Sequence, residues 1–295
     1  MDKLFKDEPL LLIDAYAWIF RAFYALPDFR NSSGEPTAAV HGFLSSVRKL
    51  VDRARSYSGA RPEVAIFFDR GAPKERLSLY GEYKANRPET PADLRRQVPF
   101  IEEALAAMGL PQVAMDGVEA DDVIASFAVT EGGNGGRRVL IASNDKDFFQ
   151  ILSGRISLLR ASSGQEEIDL FDVDRLKNKY GLPPACMVDF YALVGDDVDN
   201  VPGVMGIGEK TAAKLLTRYS SLDEIYDHLG DLPKATAKIL ARGRESAFLS
   251  QRLVRLRTDL IVAVNPVVYD PETFDRKRLL ELLSRLELRR LADRL

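Results

Sequence analysis

Pro9-Leu-Leu-Leu-Ile-Asp14 is a short apolar run closed by an acid, and the chain uses the same device twice more. Glu63-Val-Ala-Ile-Phe-Phe-Asp69 has the same form, and Arg138-Val-Leu-Ile-Ala-Ser143 leads on to Asp145. Runs this short and uninterrupted read as strands buried on both faces, as in a parallel sheet. Between them lie amphipathic patterns that predict helices over residues 16–26, 37–57, 92–108 and 119–130, with Thr37 placed as an N-cap. The alternation predicts an α/β fold, a parallel sheet flanked by helices on both faces. Ligands of such sheets bind beyond the carboxyl ends of the strands, which is where Asp14, Asp69 and Asp145 fall.

A β-hairpin is predicted next, with strands over 156–160 and 166–170 joined through Ser162, Ser163 and Gly164. From Asp172 onward the pattern is helical. Residues 1–183 are therefore expected to form the α/β domain and residues 184–295 a mainly helical one.

Further acids cluster at the same predicted end of the sheet. Glu119, Asp121 and Asp122 crowd a helix start, where Glu119 and Asp122 share a face; Asp145 and Asp147 occupy the turn Ser143-Asn-Asp-Lys-Asp147; Asp196 and Asp199 lie in Gly195-Asp-Asp-Val-Asp-Asn200. Any one pair is also what a solvated turn or a helix cap looks like. With Asp14 and Asp69 they make nine carboxylates, and with no Lys or Arg expected to neutralise them they would repel one another unless cations hold them. Hard oxygen donors with almost no His or Cys among them point to Mg²⁺ or Mn²⁺ rather than zinc, and room for two ions points to phosphate chemistry.

The formal net charge is −3, which by itself argues against a nucleic-acid partner. Two bound divalent ions would bring that total to about +1. Positive charge is also concentrated: residues 70–96 hold seven Lys or Arg against four acids, and residues 200–257 hold ten against six. Within the first segment, Lys84 and Arg87 in Tyr83-Lys-Ala-Asn-Arg87 are spaced to face a phosphate together, or to be a solvated surface pair. Tyr83 is equally suited to stacking on a base or to packing. In the second, Pro202-Gly-Val-Met-Gly-Ile-Gly-Glu-Lys-Thr-Ala-Ala-Lys-Leu-Leu216 places Gly203, Gly206 and Gly208 in a tight turn and Lys210, Thr211 and Lys214 on the helix that follows. This reads as a helix-hairpin-helix over 200–216, which grips a duplex backbone without reading sequence; a plain packing turn is the alternative.

Other features exclude function classes. Cys186 is the single cysteine, so no internal disulfide is available, and a packing role suits it better than a nucleophile. The run 10–13 is too short and too acidic in its flank for a signal peptide or membrane span, so a cytoplasmic location without membrane association is expected. His41 and His228 lie outside every motif and read as structural or surface residues. Tyr16, Phe20, Phe23 and Tyr24 form a helical stripe assigned to core packing, and the glycines of 131–136 lack phosphate-loop spacing and read as a turn.

Ile13-Asp14 with Arg21-Ala-Phe23, Phe68-Asp69, Tyr83-Lys84 with Arg87-Pro88, Gly117-Val-Glu-Ala-Asp-Asp-Val-Ile124, Asp145-Lys-Asp147, and Gly195-Asp196 with Asp199-Asn-Val-Pro-Gly203 together resemble the 5′-nuclease (flap endonuclease) family. The likeness is strongest to its branch of N-terminal 5′-3′ exonuclease domains of bacterial DNA polymerase I, and spans about residues 9–290. It implies a PIN-like sheet, a helical arch around residues 70–96 through which a single strand passes, and a helix-three-turn-helix that holds downstream duplex and a K⁺ ion. It also implies that Asp14, Asp69, Glu119 and Asp121 serve a first ion, that Asp122, Asp145, Asp147, Asp196 and Asp199 serve a second, and that Lys84 and Arg87 are catalytic cations. The partners it implies are DNA with a 5′ flap, nick or junction and an RNA primer, met by a monomer in primer removal and repair. A non-cleaving junction-binding scaffold is the alternative from another class, and a small-molecule phosphohydrolase a third. Ala15 and Tyr16 stand where relatives commonly have Gly and a small polar residue, and Asn144 where Gly is common. Tyr16 is expected to alter access to the site, and Asn144 to keep the turn by adopting a left-handed backbone. Since no polymerase segment follows Leu295, the expectation is a freestanding nuclease or the front of a longer polymerase.

Overall fold

The computed structural model describes residues 8–133, 136–162 and 167–292. In chain order, β1 (Leu10–Asp14) runs into α1 (Ala15–Ala25), and α2 (Ala38–Ser58) leads to β2 (Glu63–Phe67). The short α3 (Lys74–Leu79) and the long α4 (Ala92–Ala107) precede β3 (Gln112–Val113), and α5 (Ala120–Gly132) precedes β4 (Val139–Ala142). β5 (Ile156–Ala161) and β6 (Ile168–Phe171) follow. The helical part comprises α6 (Val173–Tyr180), α7 (Met187–Val194), α8 (Glu209–Tyr219), α9 (Leu222–Asp227), α10 (Lys234–Arg242) and α11 (Arg244–Val254). The chain closes with β7 (Val267–Val268), α12 (Arg276–Arg285) and α13 (Arg289–Ala292).

The strands form one sheet in the order β3-β2-β1-β4-β5-β6, with β7 also on β2. β1 pairs in parallel with both β2 and β4, so strand order reverses between β1 and β4, the place where α/β sheets bind ligands. β6 runs antiparallel to β5, as the hairpin reading requires, although Ser163 and Gly164 of its turn lie outside the described residues. Asn134 and Gly135 of the glycine-rich segment lie outside them as well.

The apolar runs lack alternation because both faces of the sheet are covered. Leu10 and Leu12 of β1, with Val139 and Ile141 of β4, enter one core together with α5 and the helices α7 and α8. Leu11, Ile13, Leu140 and Ala142 enter the other, against α1, α2, α4 and α12. Local chemistry sets the helix ends: Asp14 caps α1 by accepting from Ala17 N–H at 3.2 Å, and α2 stops at Gly59, whose φ is +79°. Thr37 precedes α2, but its hydroxyl donates to the carbonyl of Phe29 at 3.3 Å instead of capping.

Two sequence expectations are corrected. Residues 255–266, read as part of a helical region, carry no regular structure; Leu260, Val262 and Val264 alternate inward before β7 pairs antiparallel with β2. A period of two followed by Pro266 favours extended chain over helix. The aromatic stripe is core only in part, since Tyr16, Phe20 and Phe23 pack against the margin of the core. Trp18, Ile19 and Ala22 are the buried face of α1, while Tyr16, Phe20 and Phe23 are half-buried and Tyr24 is 68% exposed. Cys186 is buried, and among the described residues no helix is long and apolar enough to cross a membrane.

Gly195 and Gly203 cross at backbone distance: a Cβ on Gly203 would lie 2.4 Å from Gly195 N, and its φ of +61° is left-handed. Gly203→Ala is therefore expected to cost about 2 kcal/mol or more, seen as a lower thermal midpoint; an unchanged midpoint would show that the crossing has room to relax.

Candidate active site

The carboxyl ends of β1, β2 and β4 open into a cleft of about 720 Å³ lined by Asp14, Asp69, Glu119, Asp121 and Asp145, with Lys84, Arg87 and Tyr16 on its walls. Asp14 binds both sides of the switch point, since its Oδ2 accepts the Ser143 hydroxyl at 2.9 Å while its Oδ1 caps α1. Asp69 Oδ1 accepts Ala120 N–H at 2.7 Å and so docks the first turn of α5, which carries Asp121 and Asp122. Asp145 Oδ1 accepts Asp147 N–H at 2.9 Å. From the helical side, the loop Asp196–Asn200 folds back on itself through paired Asp196 and Val201 backbone bonds of 2.9 and 2.8 Å, and buries both Asp196 and Asp199. All nine predicted acids thus gather at one end of the sheet.

The expectation that no Lys or Arg neutralises them is overturned. Lys84 Nζ pairs with Glu119 and stands 3.6 Å from Asp199, Arg87 pairs with Asp199, and Lys146 Nζ is 3.2 Å from Asp196. Arg76, buried on α3, pairs with Glu119 and with Asp122, both at 2.6 Å. Carboxylates packed this closely require cations, and the protein supplies part of that charge itself. Lys146 was legible as the cation between Asp145 and Asp147. Arg76 was not, because in a charged surface-like stretch nothing distinguishes it from its neighbours. Burial works against the charge on Arg76, but the Asp122 hydrogen bond and the surrounding acids outweigh it and raise its pKa. Burial likewise opposes the charge on Lys84, which Glu119, Asp121 and Asp199 raise in turn.

Tyr83 is 4% exposed, and its hydroxyl lies 3.3 Å from both Glu119 and Asp199. A ring so enclosed has no free face for stacking, so in this structure it packs the site. The segment 82–87 is sewn to the 196–200 loop: Lys84 N–H donates to Asp199 O at 3.0 Å, and Asn200 Nδ2 to Glu82 O at 2.6 Å. Lys84 and Asn200 hold φ values of +59° and +56°, strained for side chains and concentrated at this seam. Asn144 is not left-handed. Its Oδ1 accepts Ala161 N–H at 2.9 Å, and its carbonyl accepts Arg160 Nη2 at 2.8 Å, so a side chain fastens the Asp145 turn to β5. Tyr16 meets Phe68 edge-on with ring centroids 6.1 Å apart and forms part of the cleft wall beside Asp14.

The glycine turn sits about 200 residues along, between α7 and α8, with Gly203 and Gly206 in left-handed conformations and Gly208 preceding the first residue of α8. Val204 and Ile207 are buried, whereas Met205 is 95% exposed at the tip. Lys210 and Lys214 are exposed on α8, with Thr211 half-buried between them. Ser250 Oγ of α11 accepts Gly203 N–H at 2.9 Å, and the Ser246 hydroxyl donates to Gly203 O at 2.6 Å, so α11 fixes the turn. His41 packs edge-on to Phe29, and His228 stacks on Tyr219; neither lines the acidic cleft.

The donor set fits divalent cations. Asp14, Asp69, Glu119, Asp121 and Asp145 face one cleft, and Asp147 Oδ1 is buried with no hydrogen-bond partner. An orphaned buried carboxylate oxygen is what a cation would satisfy. Burial, with Asp69 adding to it, pushes the Asp14 carboxyl up to about 7. Asp121, Asp145 and Asp147 are also raised, burial being the first cause in each.

The chain matches two family models, the 5′-3′ exonuclease N-terminal resolvase-like domain over residues 9–181 and the 5′-3′ exonuclease C-terminal SAM fold over residues 182–277. It is 37% identical over 289 residues to DNA polymerase I of Caldicellulosiruptor bescii, covering 97% of this chain and 33% of that protein. It is 40% identical over 300 residues to DNA polymerase I of Pseudomonas aeruginosa, covering 98% and 31%. The chain therefore spans about a third of the length of these relatives. Among solved structures, its fold matches the bacteriophage T5 D15 protein co-crystallised with metal ions at a TM-score of 0.68 and 20% identity, covering 97% of this chain and 100% of that one. The catalytic core of Rad2 in complex with DNA substrate matches at a TM-score of 0.64 and 18% identity, covering 95% and 88%.

A carboxyl whose pKa is higher folded than unfolded binds more protons in the native state, so for Asp14 stability falls as pH rises from the ordinary 3.8 toward 7. In EDTA the protein is expected to melt higher near pH 5 than near pH 7.5, with Mg²⁺ raising the midpoint chiefly at the higher pH. Equal midpoints across that range, with and without Mg²⁺, would contradict this account of the cleft.

Proposed function

The chain belongs to the 5′-3′ exonuclease family, and on that premise we propose that it is a structure-specific nuclease hydrolysing DNA phosphodiesters at 5′ ends, flaps and single-strand to duplex junctions. The observation that carries the reading is the convergence of acids from four separate segments on one cleft at the strand-order reversal, with Lys84 and Arg87 on its wall. Replication primer removal, including RNA primers, and repair are the settings this activity fits, with the protein acting as a monomer in the cytoplasm.

In this reading Asp14, Asp69, Glu119 and Asp121 would hold one Mg²⁺ or Mn²⁺, and Asp145, Asp147, Asp196 and Asp199 a second. When bound, such ions supply Lewis acidity to the phosphate and lower the pKa of water. The chain's own residues do the rest. Glu119 is held in place from two sides, by Lys84 at one oxygen and by Arg76 and Tyr83 at the other. Lys84 and Arg87, which rest on Glu119 and Asp199 here, hold at the cleft wall the positive charge that would face the phosphoryl group. No covalent protein intermediate is needed in this reading: Ser143 on the cleft wall spends its hydroxyl on Asp14 and accepts Asp145 N–H, which makes it part of the scaffold that holds the acids. The turn at Gly203, Gly206 and Gly208, with Lys210, Thr211 and Lys214, grips duplex phosphates away from the cleft, and K⁺ bound at that turn belongs to the same proposal.

Asp145→Asn is expected to abolish metal-dependent cutting of a 5′-labelled flap duplex while leaving junction binding nearly unchanged by gel shift. Loss of both together would refute the division of labour, and tight binding without cutting by the wild-type chain in Mg²⁺ or Mn²⁺ would leave the non-cleaving scaffold. Lys84→Ala is expected to lower the single-turnover rate by roughly 10² with little change in affinity. A wild-type rate in that variant would assign Lys84 to counter-charge alone.

A further inference from the structure

We infer that Arg76 is a positioning residue of the acidic site: it holds Asp122 away from metal, fixes Glu119, and keys both to the chain that leaves α11. Every nitrogen of its guanidinium is engaged. Nη1 donates to Glu119 Oε2 and to Asp122 Oδ2, both at 2.6 Å, and Nη2 donates to Asp122 Oδ1 at 2.9 Å, a two-pronged grip on one carboxylate. Nε donates to the carbonyl of Leu253 at 2.8 Å, and Nη2 also to that of Arg255 at 3.2 Å.

Both oxygens of Asp122 are engaged in this arrangement, and its Oδ1 also accepts Arg257 N–H at 2.9 Å. Successive residues in the first turn of α5 point about 100° apart, so Asp121 lines the cleft while Asp122 turns inward to Arg76. Two adjacent acids therefore do different work. Asp121 is offered to the cleft, and Asp122 is the buried counter-ion that keeps a guanidinium beside Glu119. Arg suits this task where Lys does not, since only a planar fork reaches two carboxylates and two carbonyls together. The carbonyls it binds lie at the end of α11, Leu253 in its last turn and Arg255 just beyond it, and Ser246 and Ser250 of the same helix fix the glycine turn. One side chain thus connects the turn proposed to hold duplex with the acids proposed to hold metal.

The inference rests on the nuclease reading, but its test does not depend on cutting. Mn²⁺ binding is measured by titration calorimetry, and thermal midpoints in EDTA, for the wild-type chain and for Asp121→Asn, Asp122→Asn, Arg76→Lys, Arg76→Gln and the Arg76→Gln/Asp122→Asn pair. Arg76→Gln is expected to weaken Mn²⁺ binding about tenfold and to lower the midpoint, because Glu119 loses its support and Asp122 its partner. Adding Asp122→Asn to it restores most of the midpoint without weakening Mn²⁺ further, and Arg76→Lys restores neither fully. If Arg76→Gln does not fold, the neutral pair carries the comparison against Asp121→Asn, which is expected to bind Mn²⁺ far more weakly than the pair. A tenfold or greater loss on adding Asp122→Asn would make Asp122 a ligand and overturn the inference while leaving the nuclease reading intact. A wild-type chain that binds no Mn²⁺ would overturn both.

Discussion

Like charge confined to a small volume governs this molecule. Two carboxylates within 4.8 Å of each other repel by roughly 3–4 kcal/mol at an effective dielectric near 20. The chain brings nine to one end of a sheet. Much of the surrounding structure answers that cost: backbone N–H groups of Ala17, Ala120 and Asp147, the Ser143 hydroxyl, and the cations Arg76, Lys84, Arg87 and Lys146. Lys84 and Arg87 are thereby placed by the repulsion they relieve. The 82–87 segment is held on the acidic loop 196–200 for the same reason, and the left-handed Lys84 and Asn200 at that seam are tolerated because the pairing outweighs their strain.

The central sheet and its acids were legible because each strand is a short apolar run with an acid following, and burial on both faces removes the alternation that would have blurred it. The glycine turn was legible for a steric reason: Gly203 and Gly195 approach so closely that no other residue fits. Arg76 was hidden, since pairing with Glu119 and Asp122 joins residues more than forty positions apart and a linear reading of charge sees an exposed basic stretch. Tyr83 stood between two uses, and the hydroxyl distances to Glu119 and Asp199 decide for packing. The alternation of Leu260, Val262 and Val264 was present to be read, but Pro266 and the long helical stretch before it obscured a return to the sheet.

Asn144 and Tyr16 show how a departure from a family pattern is absorbed. A glycine bends the turn before Asp145 by backbone freedom; Asn144 instead spends its side-chain oxygen on Ala161 N–H, so the turn is fastened from outside. Tyr16 leans edge-on against Phe68 and adds an aromatic ring to the wall of the cleft beside the acids.

The pairing of Val64 with Val267 has a consequence in time. β2 is among the first strands to be synthesised, yet part of its edge is closed only by a segment some two hundred residues later. Contacts of such long sequence separation carry a high loop-closure cost and form late. A nascent chain therefore exposes the start of β2 as an unpaired edge until residue 268 has emerged, and closing that edge waits on translation as well as on local helix formation.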